Sequence, residues 1–168
     1  MRGIKQAVVL SVITVTTSFT AGAVGSPATA AYECFRQAAT IVGTPGDDVL
    51  IGREDTADVI VGLGGNDIIR GAEDINGITA PGDRLCGGAG DDYIRGGIGE
   101  DRIQGGGGRD NVDGGFQLDV ITQGGRGNDQ VADCDSEYTG GVRIIKGGPG
   151  DDWLCVDIDA TRMYGEGG

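Results

Sequence analysis

Histidine is absent from the chain, which removes the commonest general base and the commonest nitrogen ligand for zinc. No serine or cysteine stands beside a recognisable base, so nucleophilic catalysis has no constellation. Acid pairs such as Asp91-Asp92 and Asp151-Asp152 are tandem copies of one loop, not the two carboxylates across a cleft that glycoside hydrolysis requires. No D-x-[DN]-x-[DN]-G run ends in the glutamate of an EF-hand. The residues point away from an enzyme. Positive charge is also scarce: 13 Lys and Arg stand against 26 Asp and Glu, a formal net charge of -13. Such a surface argues against nucleic acid and anionic membranes as partners and for cations.

A long apolar run is missing too. The stretch from Ala7 to Phe19 is short for a bilayer and is diluted by Ser11, Thr14, Thr16, Thr17 and Ser18, which disfavours a membrane span. With Arg2 and Lys5 before it and small residues after it, residues 1–30 read as a secretory signal peptide. Cleavage fits after Ala23 or after Ala30, and Ala30 is favoured because Pro27 and its neighbours break the helical segment. Export takes away two cations and no acid, leaving a formal charge of -15 on about 138 residues, enough for one secreted, extracellular domain. Cys34, Cys86, Cys134 and Cys155 all lie in the exported part. Without a CxxC pair or a histidine, two disulfides are favoured over a zinc site.

Glycine and aspartate are abundant, and they keep time. Aliphatic residues stand at Ile41, Leu50, Ile60, Ile69, Leu85, Ile94, Ile103, Val112, Ile121, Val131, Ile145, Leu154 and Met163, mostly nine residues apart, which is neither a helical nor a hairpin period. Two residues ahead of most of them comes an aspartate: Asp48, Asp58, Asp67, Asp83, Asp92, Asp101, Asp110, Asp119, Asp129 and Asp152. Complete units read G-G-x-G-x-D-x-U-x, with U aliphatic; residues 87–113 hold three in succession, and others open at Gly124 and Gly147. This resembles the RTX (haemolysin-type) calcium-binding repeat over about residues 43–164.

The fold this predicts is all-β: a parallel β-roll, or β-solenoid, of tandem nonapeptide repeats over 43–168, after a cap segment at 31–42. The x-U-x segment forms a three-residue strand with one side chain inward, and the six residues before it turn the chain. Two units complete one turn, and thirteen units make about six turns. So few apolar side chains, set against glycine entropy and repelling carboxylates, do not hold such a coil unaided. The resemblance supplies Ca2+, a cation that accepts six to eight oxygens in adaptable geometry.

Alternate units fall on the same edge of the coil. One edge collects the regular units with Asp48, Asp67, Asp92, Asp110, Asp129 and Asp152, which by resemblance are the calcium ligands and offer up to five gaps for ions. The other edge carries every length irregularity. There Asp101 and Asp119 alone are expected to pair, with Gln117 in place of a loop glycine, and Asp55 with Asp58 stands apart as a doublet. Insertions at 71–86 and 133–146, together with outward Tyr93 and Trp153, are the places where a glycan or protein partner could bind, as in an adhesin; an accessory module of a separate enzyme is a further reading. Corner positions one turn apart predict a Cys134–Cys155 disulfide. Elimination leaves Cys34 with Cys86, from different corners, unless the N-terminal segment or the long insertion folds over to join them.

Overall fold

The computed structural model describes residues 32–73, 80–116, 119, 121–133, 143–156 and 161–166. The expected signal peptide, Cys134 and the central parts of both insertions lie outside the described residues. A short antiparallel hairpin, β1 (Glu33–Cys34) with β2 (Gln37–Ala38), comes first. The strands that follow alternate between two wholly parallel sheets, so each unit crosses from one sheet to the other, as the half-turn reading requires. β3 (Ile41–Val42), β5 (Val59–Gly64), β7 (Arg84–Ala89), β9 (Arg102–Gly107), β11 (Ile121–Arg126), β13 (Arg143–Pro149) and β15 (Thr161–Glu166) stack in chain order as a seven-stranded sheet. β4 (Val49–Ile51), β6 (Ile68–Arg70), β8 (Tyr93–Ile98), β10 (Asn111–Phe116), β12 (Gln130–Asp133) and β14 (Trp153–Val156) form the six-stranded sheet facing it. The described residues contain no helix long and apolar enough to cross a membrane.

One inward side chain per unit makes the core. Ile60, Leu85, Ile103 and Ile145 from one sheet meet Ile69, Ile94, Val112 and Val131 from the other, all fully buried, with Ile41, Leu50 and Leu154 packed partly against them. Several strands are longer than x-U-x because the two glycines that follow join the ladder, as in Gly88↔Gly106↔Gly125. The backbone turns at these positions with φ near 129° at Gly106, and a Cβ there would strike the Gly88 carbonyl oxygen, so no other residue fits without strain. Leu63 holds the equivalent place in β5 at φ 81°.

Among the described residues the aliphatic count misplaces one inward position. Register pairs Thr122, not Ile121, with inward Ile103 and Ile145, while Ile121 pairs with Arg102 and Ile144. Thr122 is fully buried. The extra residue of this ten-residue unit lies between Asp119 and the inward position, an offset of three where the other units have two. Counting aliphatic residues places that position one residue early, because Ile121 happens to stand where the nine-residue rhythm calls for it.

Cys34 and Cys86 are joined by a disulfide with their Cα atoms 5.9 Å apart. The hairpin brings these two cysteines together from different corners of the coil: β1 folds over the outer face of the seven-stranded sheet, burying Cys34, Val59 and Val61 against Phe35, Ala39, Leu63 and Cys86. The bridge closes a loop of 52 residues, which lowers unfolded-state entropy by about 4 kcal/mol at room temperature. Cys155 is also disulfide-bonded; Cys134, its expected partner, is outside the described residues. The outward Tyr93 and Trp153 are exposed on the six-stranded sheet, with Asn111 and Gln130 between them in register, so they do not make one aromatic surface.

Candidate metal centre

Each loop glycine sits where the coil leaves one sheet for the other, and each loop aspartate follows just before the next strand. Repetition therefore stacks the aspartates into columns. On the regular edge the backbone N–H of Asp48 donates to Oδ1 of Asp67 at 2.9 Å, Asp67 to Asp92 at 2.8 Å, Asp92 to Asp110 at 2.9 Å, Asp110 to Asp129 at 2.9 Å and Asp129 to Asp152 at 3.0 Å. All six aspartates expected there stand in one ladder. On the other edge the N–H of Asp58 donates to Oδ1 of Asp83 at 2.7 Å, Asp83 to Asp101 at 2.7 Å and Asp101 to Asp119 at 3.0 Å.

This second ladder corrects the expectation that Asp101 and Asp119 alone pair on that edge. Asp83 belongs with them, since the insertion in its unit leaves the loop ahead of it and does not disturb the D-x-U offset. Asp58 is fully buried and is no detached doublet. Its carboxylate is spoken for: the Arg53 guanidinium approaches Oδ1 at 2.6 Å, the Arg53 N–H donates to Oδ2 at 2.7 Å, and the Thr40 hydroxyl donates to Oδ1 at 2.8 Å. Burial pushes the Asp58 carboxyl up, but these hydrogen bonds and the Arg53 charge together hold it below the ordinary range.

Oδ2 of Asp83 accepts the Ala72 N–H at 3.0 Å, and Oδ2 of Asp48 accepts from Thr44; at five other aspartates one carboxylate oxygen is left over. Oδ2 of Asp67, Asp92, Asp101, Asp110 and Asp129 is buried without a hydrogen-bond partner, a costly state for an anion unless something else satisfies it. These oxygens share a setting. A methyl group at Gly124 would meet Asp129 Oδ2 at 2.5 Å and the Gly147 carbonyl oxygen, one turn on, at 2.8 Å. Gly62, Gly87 and Gly105 on the same edge, and Gly71 and Gly96 on the other, are hemmed in the same way by their own loop's aspartate and the next loop's glycine carbonyl. A second row lies outside the first on the regular edge. Here the hydrogen bonds run the other way: the N–H of Asn66 donates to Asp47 Oδ1, Asp91 to Asn66, Arg109 to Asp91 and Asp151 to Asn128, at 2.7 to 3.0 Å. This explains the acid pairs, whose first member ties the loops together on the outside while the second turns inward.

The donors that converge are all oxygens, carboxylate and carbonyl, which suits a hard cation with flexible coordination and not zinc or copper. No free thiol competes among the described residues. Nor do three or more His, Cys, Asp or Glu side chains gather at one point among them, so backbone carbonyls must supply much of any coordination shell.

Without a cation the columns resist ionisation. Burial raises the carboxyls of Asp92 to about 6 and of Asp101 and Asp110 to about 7, against the pull of the N–H donor one turn away and with the help of neighbouring aspartates. Asp67, Asp83 and Asp129 shift upward for the same leading reason. A carboxyl raised in the folded state binds its proton more tightly there, so metal-free stability is lost as pH climbs from about 4 through 7 and regained as it falls. The expected result is that, in excess chelator, lowering the pH from 8 to 5 increases the β signal in far-ultraviolet circular dichroism. A signal that is flat or falls over this range would contradict the burial of these carboxyls.

An all-β parallel solenoid with acidic, glycine-framed loops stacked on its edges is thus the class of protein. Comparison of sequences agrees: the profile of the RTX calcium-binding nonapeptide repeat, described as four copies, matches residues 38–56, 42–78 and 87–121. The chain carries RTX calcium-binding repeats, wound as a β-solenoid. No curated protein and no solved structure matches it significantly.

Proposed function

We propose that this is a secreted, non-enzymatic protein whose roll takes up several Ca2+ ions between successive loops and depends on them to fold. The observation that carries this reading is the row of buried Oδ2 atoms without hydrogen-bond partners, each beside a glycine carbonyl of the next turn. Asp48, Asp67, Asp92, Asp110, Asp129 and Asp152 would hold the ions of the regular edge, up to about five. On the other edge Asp83 joins Asp101 and Asp119, while Asp58 is satisfied by Arg53. Bound calcium supplies positive charge and a flexible demand for oxygen. The chain contributes the carboxylates, the inward-turned carbonyls, and glycines that leave room between them. Export and an extracellular place are supported by the character of residues 1–30 and by the Cys34–Cys86 bridge, since disulfides persist in oxidising compartments.

Calorimetric titration of the mature protein tests the reading. Calcium should bind at several sites per chain, and magnesium far more weakly, because magnesium demands a tight octahedron and holds its waters. One site or none for calcium would sink the proposal.

A further inference from the structure

The two sheets differ in charge. Arg84, Arg102, Arg126, Arg143, Lys146 and Arg162 lie in strands of the seven-stranded sheet, and the only acid in any of its strands is Glu166, at the end of β15. The strands of the six-stranded sheet carry only Arg70 and Arg95, and both are paired: Arg95 with Glu73 at 3.7 Å and with Asp113 at 3.6 Å, and Arg70 with Glu73 at 4.0 Å. On the seven-stranded sheet, Arg84, Arg102, Arg126 and Lys146 have no acidic partner within 4 Å among the described residues. Arg84 and Arg102 are directly opposite in register, a like-charge pair that works against the sheet. The buried Nε of Arg84 has no hydrogen-bond partner. In a chain with twice as many acids as bases, such a collection of unpaired cations on one face invites an anion.

The same face has a floor and walls. Beyond the part covered by the hairpin, a groove of about 430 Å3 runs across the strands, lined by Gln104, Gln123, Arg126 and Lys146 over the bare backbone of Gly106 and Gly125. Gln104, Gln123, Lys146 and Tyr164 follow one another in register on consecutive strands. The Tyr164 ring is 44% exposed at the end of the row, with the Lys146 ammonium 5.9 Å from its centre.

We propose that this groove binds an anionic polysaccharide, with carboxylate-bearing sugar rings crossing successive strands. Glutamine amides both donate and accept, as paired sugar hydroxyls require. Arg126 and Lys146 meet carboxylates, an exposed tyrosine ring offers an apolar face to a sugar, and the glycine floor lets a flat ring approach the backbone. The columns of aspartate along the coil edges oppose a stiff, denser polyanion such as duplex nucleic acid, whereas a slender chain with one charge per ring fits within the groove. This inference goes beyond calcium binding: it concerns side chains of the seven-stranded sheet that take no part in the aspartate ladders.

The test is a fluorescence titration of the mature chain in calcium with a short galacturonic acid oligomer, its fully methyl-esterified form, and a DNA duplex. The acidic oligomer should bind, weakening as salt rises, and the Arg126→Gln/Lys146→Gln double variant should lose about tenfold in affinity. Gln123→Ala, which keeps every charge, should also weaken binding, and Arg70→Gln/Arg95→Gln on the other sheet should leave it unchanged. Circular dichroism of each variant in calcium establishes that the roll is intact. No binding of the acidic oligomer, equal affinity for the esterified one, tighter binding to DNA, or a folded Arg126→Gln/Lys146→Gln variant that binds like the parent would each overturn the proposal.

Discussion

In excess chelator at neutral pH the mature chain is expected to give the circular dichroism of a largely unfolded protein, and calcium at about 0.1 to 1 mM to restore the β spectrum. The core is thin. One residue per unit is inward, so the core is only two files of side chains, Ile60 and Leu85 from one sheet against Ile69 and Ile94 from the other, and the hairpin adds only a small cluster at one end. Against that stand the ordering of a glycine-rich backbone and two ladders of aspartates that come close enough to raise one another's carboxyls. Neutralising the ladders should therefore change stability by more than any single substitution. The Cys34–Cys86 bridge restricts the unfolded chain but gives the loop carboxylates no counter-charge, so it does not replace the cation. A β spectrum that is complete in chelator and unmoved by calcium would mean that backbone ladders and core suffice, and that metal-driven folding is wrong.

Much of this architecture is legible because the repeat acts as its own alignment. Leu85, Ile94, Ile103 and Val112 are inward at nine-residue intervals, and the parity of the units separates Asp92 and Asp110 from Asp83 and Asp101 as the two ladders do. Periodicity fails where it meets an insertion. Ile121 has the right chemistry at the expected count, yet an added residue after Asp119 hands the inward place to Thr122, which a count of aliphatic residues passes over. Asp83 sits in a long unit, yet length added ahead of the D-x-U core leaves the core in register and Asp83 in the ladder. The hairpin over Val59 and Val61 has no repeat signature at all, so the Cys34–Cys86 pairing could be reached only by elimination. The cationic sheet is invisible in a net charge of -13, since only the strand order shows that the cations share a face.

Asp110→Ala should separate the metal's contribution from that of the fold, because it acts with different strength in the two states. In calcium the variant loses a carboxylate placed between the loops of Asp92 and Asp129, so up to two adjacent gaps lose a ligand and calorimetric stoichiometry falls. The N–H of Asp92 also loses its acceptor, a cost of about 1 to 3 kcal/mol for a buried donor. In chelator the same substitution removes a carboxyl that burial and its neighbours hold at about 7, so the metal-free chain sheds a repulsive group and is weakened less than the loaded one. The gain in β signal on adding a fixed, sub-saturating amount of calcium should therefore shrink sharply in Asp110→Ala. Asp91→Ala is the matched comparison, one residue away in the exposed outer row, where among the described residues the lost carboxylate accepts only the N–H of Arg109 at 2.8 Å; it should keep the stoichiometry and most of the calcium-dependent gain. Equal losses of bound calcium in the two variants would show that the inner ladder is not where the ions sit.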